Sequence, residues 1–184
     1  MIKTESNYKS TKMFCWMSDK VIVKNTEKYG MGIYAKKEIK KGEKIAMFGG
    51  YVMTRKEEEN TPPDIYDNAI QIDDNLVIGA KLKSEIEDAS MFNHSCNANA
   101  GIKGQILLVA IKDILLNEQI TLDFGTVLFH PEGVKPYKLK CLCGDKDCRG
   151  NITDEDWKKA VVQEKYRGHF SMYLQDKIDN LKNK

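Results

Sequence analysis

Residues Met91 to Ala100 read MFNHSCNANA, and this stretch decides the fold. It places an amide, an imidazole, a hydroxyl and a thiol side by side in residues 93–96, and two more asparagines follow by position 99. A thiol and an imidazole this close can bind a metal, whereas the amides are suited to hydrogen bonding with a buried ligand or with the backbone. The rest of the sequence is needed to choose between metal binding and ligand binding for this stretch.

Length and composition predict one domain with its own core. The chain has 184 residues, of which 41% are hydrophobic, and a chain of this size needs no disulfides to fold. Its 29 basic and 27 acidic residues give a formal charge of +2, which is too balanced to attract nucleic acid or a membrane surface. We therefore expect no direct nucleic-acid binding and no membrane partner.

The sequence shows no apolar stretch of the kind that an export signal or a membrane span needs. No apolar run approaches the roughly 18 residues of a membrane span, and MIKTESNYKS at residues 1–10 has no signal-type apolar core. These features predict an intracellular protein, and without a Lys/Arg-rich nuclear signal they do not choose between cytoplasm and nucleus. Its five cysteines are then expected to stay reduced, which favours thiolate or metal chemistry.

Short apolar segments, bounded by Gly, Asn, Asp or Lys, predict β-strands through the first two thirds of the chain. They are KVIVK (20–24), GIYA (32–35), EKIAMF (43–48), AIQID (69–73), ILLVAI (106–111) and EQITLDF (118–124).

Three segments have helical patterns. TRKEEEN from Thr54 offers a Thr-x-x-Glu capping box, with its glutamates on a solvated face. After Gly150, Thr153 can cap the first of two amphipathic helices that cover the sheet or bind a partner. Their apolar residues are Trp157, Ala160 and Val161, then Phe170, Tyr173, Leu174, Ile178 and Leu181.

The sequence CLCGDKDC puts Cys141, Cys143 and Cys148 in a Cys-x-Cys-x4-Cys run. Structural zinc sites are almost always tetrahedral, so three thiolates need a fourth donor. Cys96 is favoured because thiolate is the softest ligand available, and it would tie the opening stretch to this run. The other candidates are Cys15, His94, His130 and His169, and the alternative to a metal site is a group of buried free thiols.

Five segments, in order, resemble the SET-domain lysine methyltransferases with a post-SET zinc segment. The resemblance covers roughly residues 20 to 152 and implies a mostly β fold with some α-helix. Several small β-sheets would surround a pseudoknot in a small stand-alone SET protein. The segments are YGMGIYA, IKKGEKIAMFGG, FNHSCNAN, EQITLDFG and CLCGDKDCRG.

On this resemblance the chain divides into four segments. Residues 1–19 would be an N-terminal extension, 20–126 the SET domain, and 127–152 the post-SET zinc segment. Residues 153–184 would form C-terminal helices packed on the same domain.

The resemblance also assigns ligands to the opening stretch. It implies that Asn93 and His94 bind S-adenosylmethionine, and that Cys96 joins the three clustered cysteines around a structural zinc. Ser95 and Asn99 would stabilise the turns of the knotted segment by hydrogen bonding. The further cofactor contacts implied are Gly30, Met31, Gly32, Phe124 and Leu142, with Leu142 over the adenine.

The sequence departs from the family at the methyl-transfer site, where the tyrosine of the Asp-Tyr-Gly motif is Phe124. Tyr66 lies two residues from the usual position of a second channel tyrosine, which is Asn68 here, and could take over the phenol role. Leu122 occupies a channel position that is often aromatic.

Two functions remain open from the sequence. The first is an S-adenosylmethionine-dependent methyltransferase acting on a lysine of a protein partner, either a histone tail or another protein. The second is a catalytically inactive SET module that binds S-adenosylmethionine or a partner protein, because fold does not guarantee activity.

Overall fold

A computed structural model of the protein describes residues 13–26, 30–62, 65 and 68–182. Within these residues the strands are β1 (Trp16–Met17), β2 (Val21–Thr26), β3 (Gly30–Ala35), β4 (Lys44–Met47), β5 (Tyr51–Thr54), β6 (Ile70–Gln71), β7 (Leu76–Gly79), β8 (Asn93–His94), β9 (Ala100–Lys103), β10 (Leu107–Ala110), β11 (Gln119–Leu122), β12 (Lys138–Lys140) and β13 (Asn151–Thr153). The α-helices are α1 (Arg55–Glu59), α2 (Ala160–Lys165) and α3 (Met172–Lys182).

The strands form three sheets, of eight, three and two strands. The largest has the order β1-β4-β10-β9-β11-β3-β2, and β8 pairs with β11 beside this path. Strands β5, β7 and β6 make a second sheet, and β12 and β13 make a third. Most pairings are antiparallel, but β11 runs parallel to both β8 and β9. The parallel pairing brings the Asn-His dipeptide alongside the strand that leads to Phe124.

The core lies under the largest sheet. Ile33, Ile45, Ile102, Leu108 and Ile120 come from five different strands and are each 0% exposed. Burying a side chain of this size contributes on the order of 1.5–3 kcal/mol. The large sheet is therefore held by branched aliphatic side chains, and the polar motif residues lie at its edge.

All six predicted strand segments contain strands, although the segment 69–73 keeps only the two residues of β6. Strands β8 and β9, which flank Cys96, were not predicted. The Asn-His pair of β8 has neither apolar alternation nor β-branched residues, and it becomes a strand only because β11 supplies its pairing partners.

The capping box at Thr54 is confirmed. The Thr54 hydroxyl accepts from the backbone N–H of Glu57 at 3.1 Å, and the Glu57 carboxylate accepts from the Thr54 N–H at 2.7 Å. The expected solvated face is wrong for one glutamate: Glu58 is 3% exposed and forms an ion pair with Arg55, itself 4% exposed. A glutamate can be buried here because its charge is paired.

Thr153 does not cap a helix, and this prediction was wrong. It ends strand β13, where it pairs with Lys138, and its hydroxyl donates to Asp156 at 3.0 Å. A 3-10 turn at Asp156–Lys158 follows, and helix α2 begins only at Ala160. Strand pairing with the cysteine segment overrides the local capping signal.

The C-terminal helices pack on the motif segment, which is residues 91–100, through a hydrophobic cluster that includes Ala98. Phe170, Leu174 and Ile178 are buried there as predicted. The predicted face of the first helix was wrong by one residue, because Val161 is 66% exposed while Val162 is 1% exposed. Leu181 is likewise exposed.

Among the described residues, no helix has both the length and the hydrophobicity to cross a membrane.

Candidate functional site

The structure brings Cys96, Cys141, Cys143 and Cys148 together. Their sulfur atoms all lie within 4.8 Å of one another, and Cys96 Sγ is 3.8 Å from Cys141 Sγ. Four thiolates around a tetrahedral zinc, with Zn–S distances of about 2.3 Å, stand about 3.8 Å apart. The donor set and its spacing fit zinc, so these four cysteines could hold one zinc ion.

Backbone N–H groups already point at these sulfurs. Arg149 N–H donates to Cys96 Sγ at 3.3 Å, and Gly150 N–H donates to Cys148 Sγ at 3.4 Å. Such donors stabilise thiolates, which are the form that binds metal. Without a cation, burial raises the pKa of Cys96 to about 11. Metal binding at neutral pH would therefore release protons from this cluster.

The other candidates for the fourth ligand lie outside the four-sulfur group that the described residues form. The Cys15 thiol donates to the backbone oxygen of Gly49 at 3.7 Å. His130 Nδ1 is 3.2 Å from Asp154 Oδ2. His169 packs against Gly101. Cys96 is the donor that the chain brings to the other three thiols.

His94 connects the sulfur group to Phe124. Its Nδ1 accepts from the Phe124 backbone N–H at 3.2 Å, and its Nε2 lies 3.4 Å from Cys96 Sγ. Since Nδ1 accepts, the proton is assigned to Nε2, which faces the sulfur. Burial lowers the pKa of His94 to about 4, so the ring is neutral at pH 7. Both ring nitrogens are thus engaged within the protein.

Asn93 holds the glycine strand β3. Its side-chain Nδ2 donates to the backbone oxygen of Met31 at 2.9 Å. A Cβ added to Gly32 would lie 2.8 Å from that same Nδ2 and 2.7 Å from Gln119 Nε2. Only glycine leaves room for these two amides at position 32. Gly30, with φ +72°, starts the strand in a conformation that other residues rarely adopt.

Gln119 is a residue that sequence reasoning missed. Its Nε2 is buried, lies beside Gly32 and Asn93, and has no hydrogen-bond partner among the described residues. An unpaired buried donor is costly unless a ligand satisfies it. This orphan donor fits a site for a polar ligand next to the glycine strand. No signal in the sequence singled it out, because the glutamine reads as an ordinary strand residue.

Ser95 stabilises the turn at Cys96, as predicted, whereas Asn99 bonds to strand β11 instead of to a turn. The Ser95 hydroxyl accepts from the Asn97 N–H at 3.0 Å. The Asn99 side chain bonds on both sides, donating to the Gln119 carbonyl at 2.8 Å and accepting from the Thr121 N–H at 2.9 Å. The two Asn99 bonds join a side chain to backbone groups of β11 and so fix the motif segment to that strand.

Tyr166 and Lys165 anchor the motif segment from the C-terminal side, and neither was predicted. The Tyr166 hydroxyl donates to the Cys96 carbonyl and accepts from the Ala98 N–H, both at 3.0 Å. Lys165 Nζ donates to the same Cys96 carbonyl at 2.8 Å. Helix α2 therefore helps to position the cysteine that completes the sulfur group.

Arg149 joins three segments, and sequence reasoning missed it too. Its guanidinium binds Asp123 through two bonds of 2.7 Å and Asp156 through one of 2.8 Å. Both carboxylates are 0% exposed. Burial alone would raise the pKa of Asp156, but the hydrogen bond from Lys159 and the charge of Arg149 hold that pKa below its usual value. The position of Arg149 directly after Cys148 was the available signal.

A pocket of about 120 Å³ lies on the other side of the motif segment. Phe48, Phe92, Phe124 and Tyr137 contribute aromatic rings to its wall, and Leu122 lines it as well. Phe92 lines the pocket while the next residue, Asn93, bonds to the glycine strand. Successive residues of an extended segment point to opposite sides. The Phe92–Asn93 dipeptide therefore borders both the pocket and the glycine-strand site.

The N-terminal segment closes one edge of this pocket. The Glu87 carboxylate, in a residue only 6% exposed, accepts from the backbone N–H groups of Met13, Phe14 and Cys15 at 2.7, 2.6 and 3.0 Å. Phe14 and Cys15 line the pocket beside Glu87. The buried Glu87 carboxylate thus holds residues 13–15 against the pocket, where Phe14 and Cys15 form part of its wall.

The assignments of two predicted site residues, Tyr66 and Leu142, stay predictions. Tyr66 lies outside the described residues, so its assignment to the channel stays a prediction. Leu142 lies between two of the clustered cysteines and is 50% exposed. Its assignment to the adenine stays a prediction.

Comparison with known proteins identifies the family of this chain. The SET domain family model matches residues 30–125, which is more than half of the chain. The chain belongs to the SET-domain family. The matched range includes the glycine strand, the Asn-His segment and Phe124, and the mostly β fold expected from the sequence is confirmed.

Two relatives illustrate the range of the match. The chain is 31% identical over 144 residues to the variant-silencing SET domain-containing protein of Plasmodium falciparum (isolate 3D7), covering 68% of this chain and 5% of that protein. It is 32% identical over 136 residues to the histone-lysine N-methyltransferase ash1 of Drosophila melanogaster, covering 67% of this chain and 6% of that protein. The chain thus spans only a small part of the length of these relatives.

A solved structure shows the same fold. The crystal structure of KRYPTONITE in complex with mCHH DNA, an H3(1-15) peptide and SAH aligns with a TM-score of 0.55 at 23% sequence identity. The alignment covers 73% of this chain and 30% of that one.

Proposed function

We propose that this chain is a protein-lysine methyltransferase that uses S-adenosylmethionine as its methyl donor. One observation carries the proposal: Phe92 lines an aromatic pocket, while Asn93 bonds to the glycine strand on the other side. A donor beside Asn93 and a lysine in the pocket would meet next to Phe124, which lines the pocket and is bonded to His94 through its backbone N–H. The name of the ash1 relative, a histone-lysine N-methyltransferase, supports the same activity.

S-adenosylmethionine supplies a methyl group activated by a positively charged sulfur. On the protein side, Gly30, Met31 and Gly32 would offer close backbone approach, and Asn93 and Gln119 would offer amide donors. The orphan Nε2 of Gln119 supports a polar ligand here. His94 is neutral at pH 7, so its ring would not add a positive charge next to the positively charged sulfur of the methyl donor. Leu142 would cover the adenine from the cysteine segment.

The pocket on the Phe92 side would take the acceptor lysine. An ordinary lysine has a pKa of about 10.4, and only its neutral amine has a lone pair to attack with. Burial among Phe48, Phe92, Phe124 and Leu122 would lower this pKa, because desolvation disfavours the charged form. The walls would also orient the amine toward the donor, which is the main requirement of in-line displacement. The acceptor would be a histone tail or another protein.

Zinc would have a structural role. Cys96, Cys141, Cys143 and Cys148 supply four ligands, which leaves no open position for chemistry in a tetrahedral site. Residues 20–126 would form the SET domain, residues 127–152 the post-SET segment that closes on it, and residues 153–184 the C-terminal cover.

Phe124 supports a second candidate function. Phenylalanine stands where the family's motif has its tyrosine, and it can neither donate nor accept a hydrogen bond. A catalytically inactive SET module would keep the donor site and the zinc cluster, and it would bind S-adenosylmethionine or a protein partner without turnover.

Calorimetry with S-adenosylhomocysteine tests the donor site. We expect the wild type to bind, and we expect Asn93→Ala to lose about 1–3 kcal/mol of binding free energy because polar groups are left unpaired. Asn180→Ala, an exposed residue of helix α3, is the matched control and should bind like the wild type. Equal affinity in Asn93→Ala would place the donor site elsewhere.

Radiolabelled methyl transfer to mixed histones and to cell lysate separates the two candidate functions. Label on the lysine side chains of any protein supports the methyltransferase. Binding of S-adenosylhomocysteine with no transfer to either substrate mixture would support the inactive module.

A further inference from the structure

The pocket that contains Phe124 is lined by a phenol from another part of the chain. Among its described lining residues, Tyr137 is the tyrosine, whereas Phe14, Phe48, Phe92 and Phe124 are phenylalanines. Tyr137 belongs to the post-SET segment, thirteen residues after Phe124. It was not among the residues that the sequence analysis assigned to the site.

The backbone around Tyr137 is fixed at three successive points. Lys135 N–H donates to the Glu59 carboxylate at 2.9 Å, and Tyr137 N–H donates to the Asp154 carboxylate at 2.7 Å. Asp154 is only 4% exposed, which makes it a rigid acceptor. Lys138 then enters strand β12 by pairing with Thr153. These bonds hold the residue half-buried against the pocket rather than on a mobile loop.

The chemistry of the pocket lacks an oxygen at Phe124. A phenol oxygen near the reacting atoms can accept a hydrogen bond from the acceptor amine and orient its lone pair, and it can make weak C–H···O contacts with a transferring methyl group. The Phe124 ring contacts His94, with centroids 5.3 Å apart, and offers only an apolar surface to the pocket. A donor or acceptor of hydrogen bonds on the aromatic wall must come from elsewhere.

We infer that Tyr137 supplies the phenol oxygen that is missing at Phe124 and contacts the acceptor amine during methyl transfer. This inference rests on the proposed function. In the step, the amine lone pair forms the N–CH₃ bond as the S–CH₃ bond of the donor breaks. The electron pair of the broken bond stays on sulfur, which becomes a neutral thioether, and the methylated amine releases its surplus proton to water.

Single-turnover transfer to a lysine substrate identified in the radiolabel assay tests this role. We expect Tyr137→Phe to lower the rate roughly 100-fold, a loss in the range seen when one oriented polar group is removed from an active site. Affinity for S-adenosylhomocysteine should stay within about 2-fold of the wild-type value, because Tyr137 is proposed to contact the acceptor amine and not the donor. Loss of a hydrogen bond to the donor would change this affinity by more. Tyr34→Phe, on strand β3 and outside the pocket lining, is the control and should keep the wild-type rate.

The double variant Phe124→Tyr/Tyr137→Phe separates chemistry from folding. If Tyr137 supplies a phenol, an oxygen returned at position 124 should restore at least a tenth of the wild-type rate. A merely structural role for Tyr137 predicts no such rescue, and it predicts a fall in thermal stability and in donor affinity as well. Absence of rescue together with these two losses would overturn the inference.

Two further outcomes overturn it in different ways. A wild-type rate in Tyr137→Phe, with loss of transfer in Tyr66→Phe, would assign the phenol to Tyr66 and leave the methyltransferase proposal intact. Absence of transfer by the wild type to any lysine substrate would remove both the inference and the proposed activity.

Discussion

The two sides of the Phe92–Asn93 dipeptide are built in different ways. On the Asn93 side, polar groups satisfy one another through short bonds: Asn93 to Met31, His94 to Phe124, and Arg149 to Asp123. On the Phe92 side, apolar and aromatic side chains from several elements surround a pocket of about 120 Å³.

This difference determines which substitutions each side can accept. A buried amide or carboxylate needs a partner of defined position, so a substitution on the Asn93 side leaves an unpaired group. An apolar wall tolerates exchange between side chains of similar volume. A phenylalanine at position 124 is therefore compatible with the pocket wall, whereas Asn93 and His94 have partners of defined position.

Removal of a zinc ligand, which lies on the Asn93 side, should have the largest effect on thermal stability. We expect the wild type to carry one zinc per chain and Cys148→Ser to carry none. Its melting temperature should fall by roughly 10 °C, since about 4 kcal/mol corresponds to such a shift in a domain of this size. Metal analysis and thermal unfolding, with and without chelator, measure both quantities.

Cys15→Ser is the matched control for the zinc prediction. Cys15 hydrogen-bonds to Gly49 at the pocket edge and lies outside the four-sulfur group. This variant should keep its zinc. Stoichiometric zinc in Cys148→Ser, or an absence of zinc in the wild type, would contradict the metal assignment.

Arg149→Ala should have the second-largest effect, because it leaves two fully buried carboxylates without their shared partner. Removing one member of such a group costs about 3–5 kcal/mol. Urea unfolding at pH 7 should show this loss, and Arg167→Ala, in a pair that is mostly exposed, should be close to the wild type. Equal stability of the two variants would show that Arg149 is not needed to join the segments.

The pH dependence of the Arg149→Ala effect has a defined sign. The pKa of Asp156 is lower in the folded protein than its ordinary value. Its stabilising contribution is therefore complete above the unfolded value of about 3.9 and is lost as the pH falls through the folded pKa. The difference in unfolding free energy between wild type and Arg149→Ala should shrink in that acid range.

Glu87→Gln should have the smallest effect on stability. Its effect on binding should be limited to the substrate that occupies the pocket. The amide keeps the shape of the carboxylate but loses the charge that receives three backbone N–H groups. We expect a loss of about 1–2 kcal/mol in unfolding free energy. The KM for the lysine substrate should rise while affinity for S-adenosylhomocysteine stays constant.

Glu164→Gln, on the exposed face of helix α2, is the control for the Glu87 variant. A loss of donor affinity in Glu87→Gln would mean that the two sides of the dipeptide are coupled more tightly than their separate bonding indicates.

The sequence by itself determined the parts that depend on local spacing. The apolar segments predicted six strand regions, and the Thr-x-x-Glu spacing predicted the capping box at Thr54. The close spacing of Cys141, Cys143 and Cys148 predicted three of the sulfurs that the structure brings together, and soft-ligand preference named Cys96 as the fourth. The spacing signals work because the residues involved are near one another in the chain, whereas the choice of Cys96 rested on ligand chemistry.

Only the tertiary structure decided which distant residues meet. It drew Thr153 into a strand and brought the Tyr166 hydroxyl to the Cys96 carbonyl across 70 residues. It also placed Arg149 between two buried aspartates and put Tyr137 on the wall of the Phe124 pocket. Contacts of this kind depend on how the sheets pack against the cysteine segment, and residues so far apart leave no periodic pattern in the sequence from which they could be predicted.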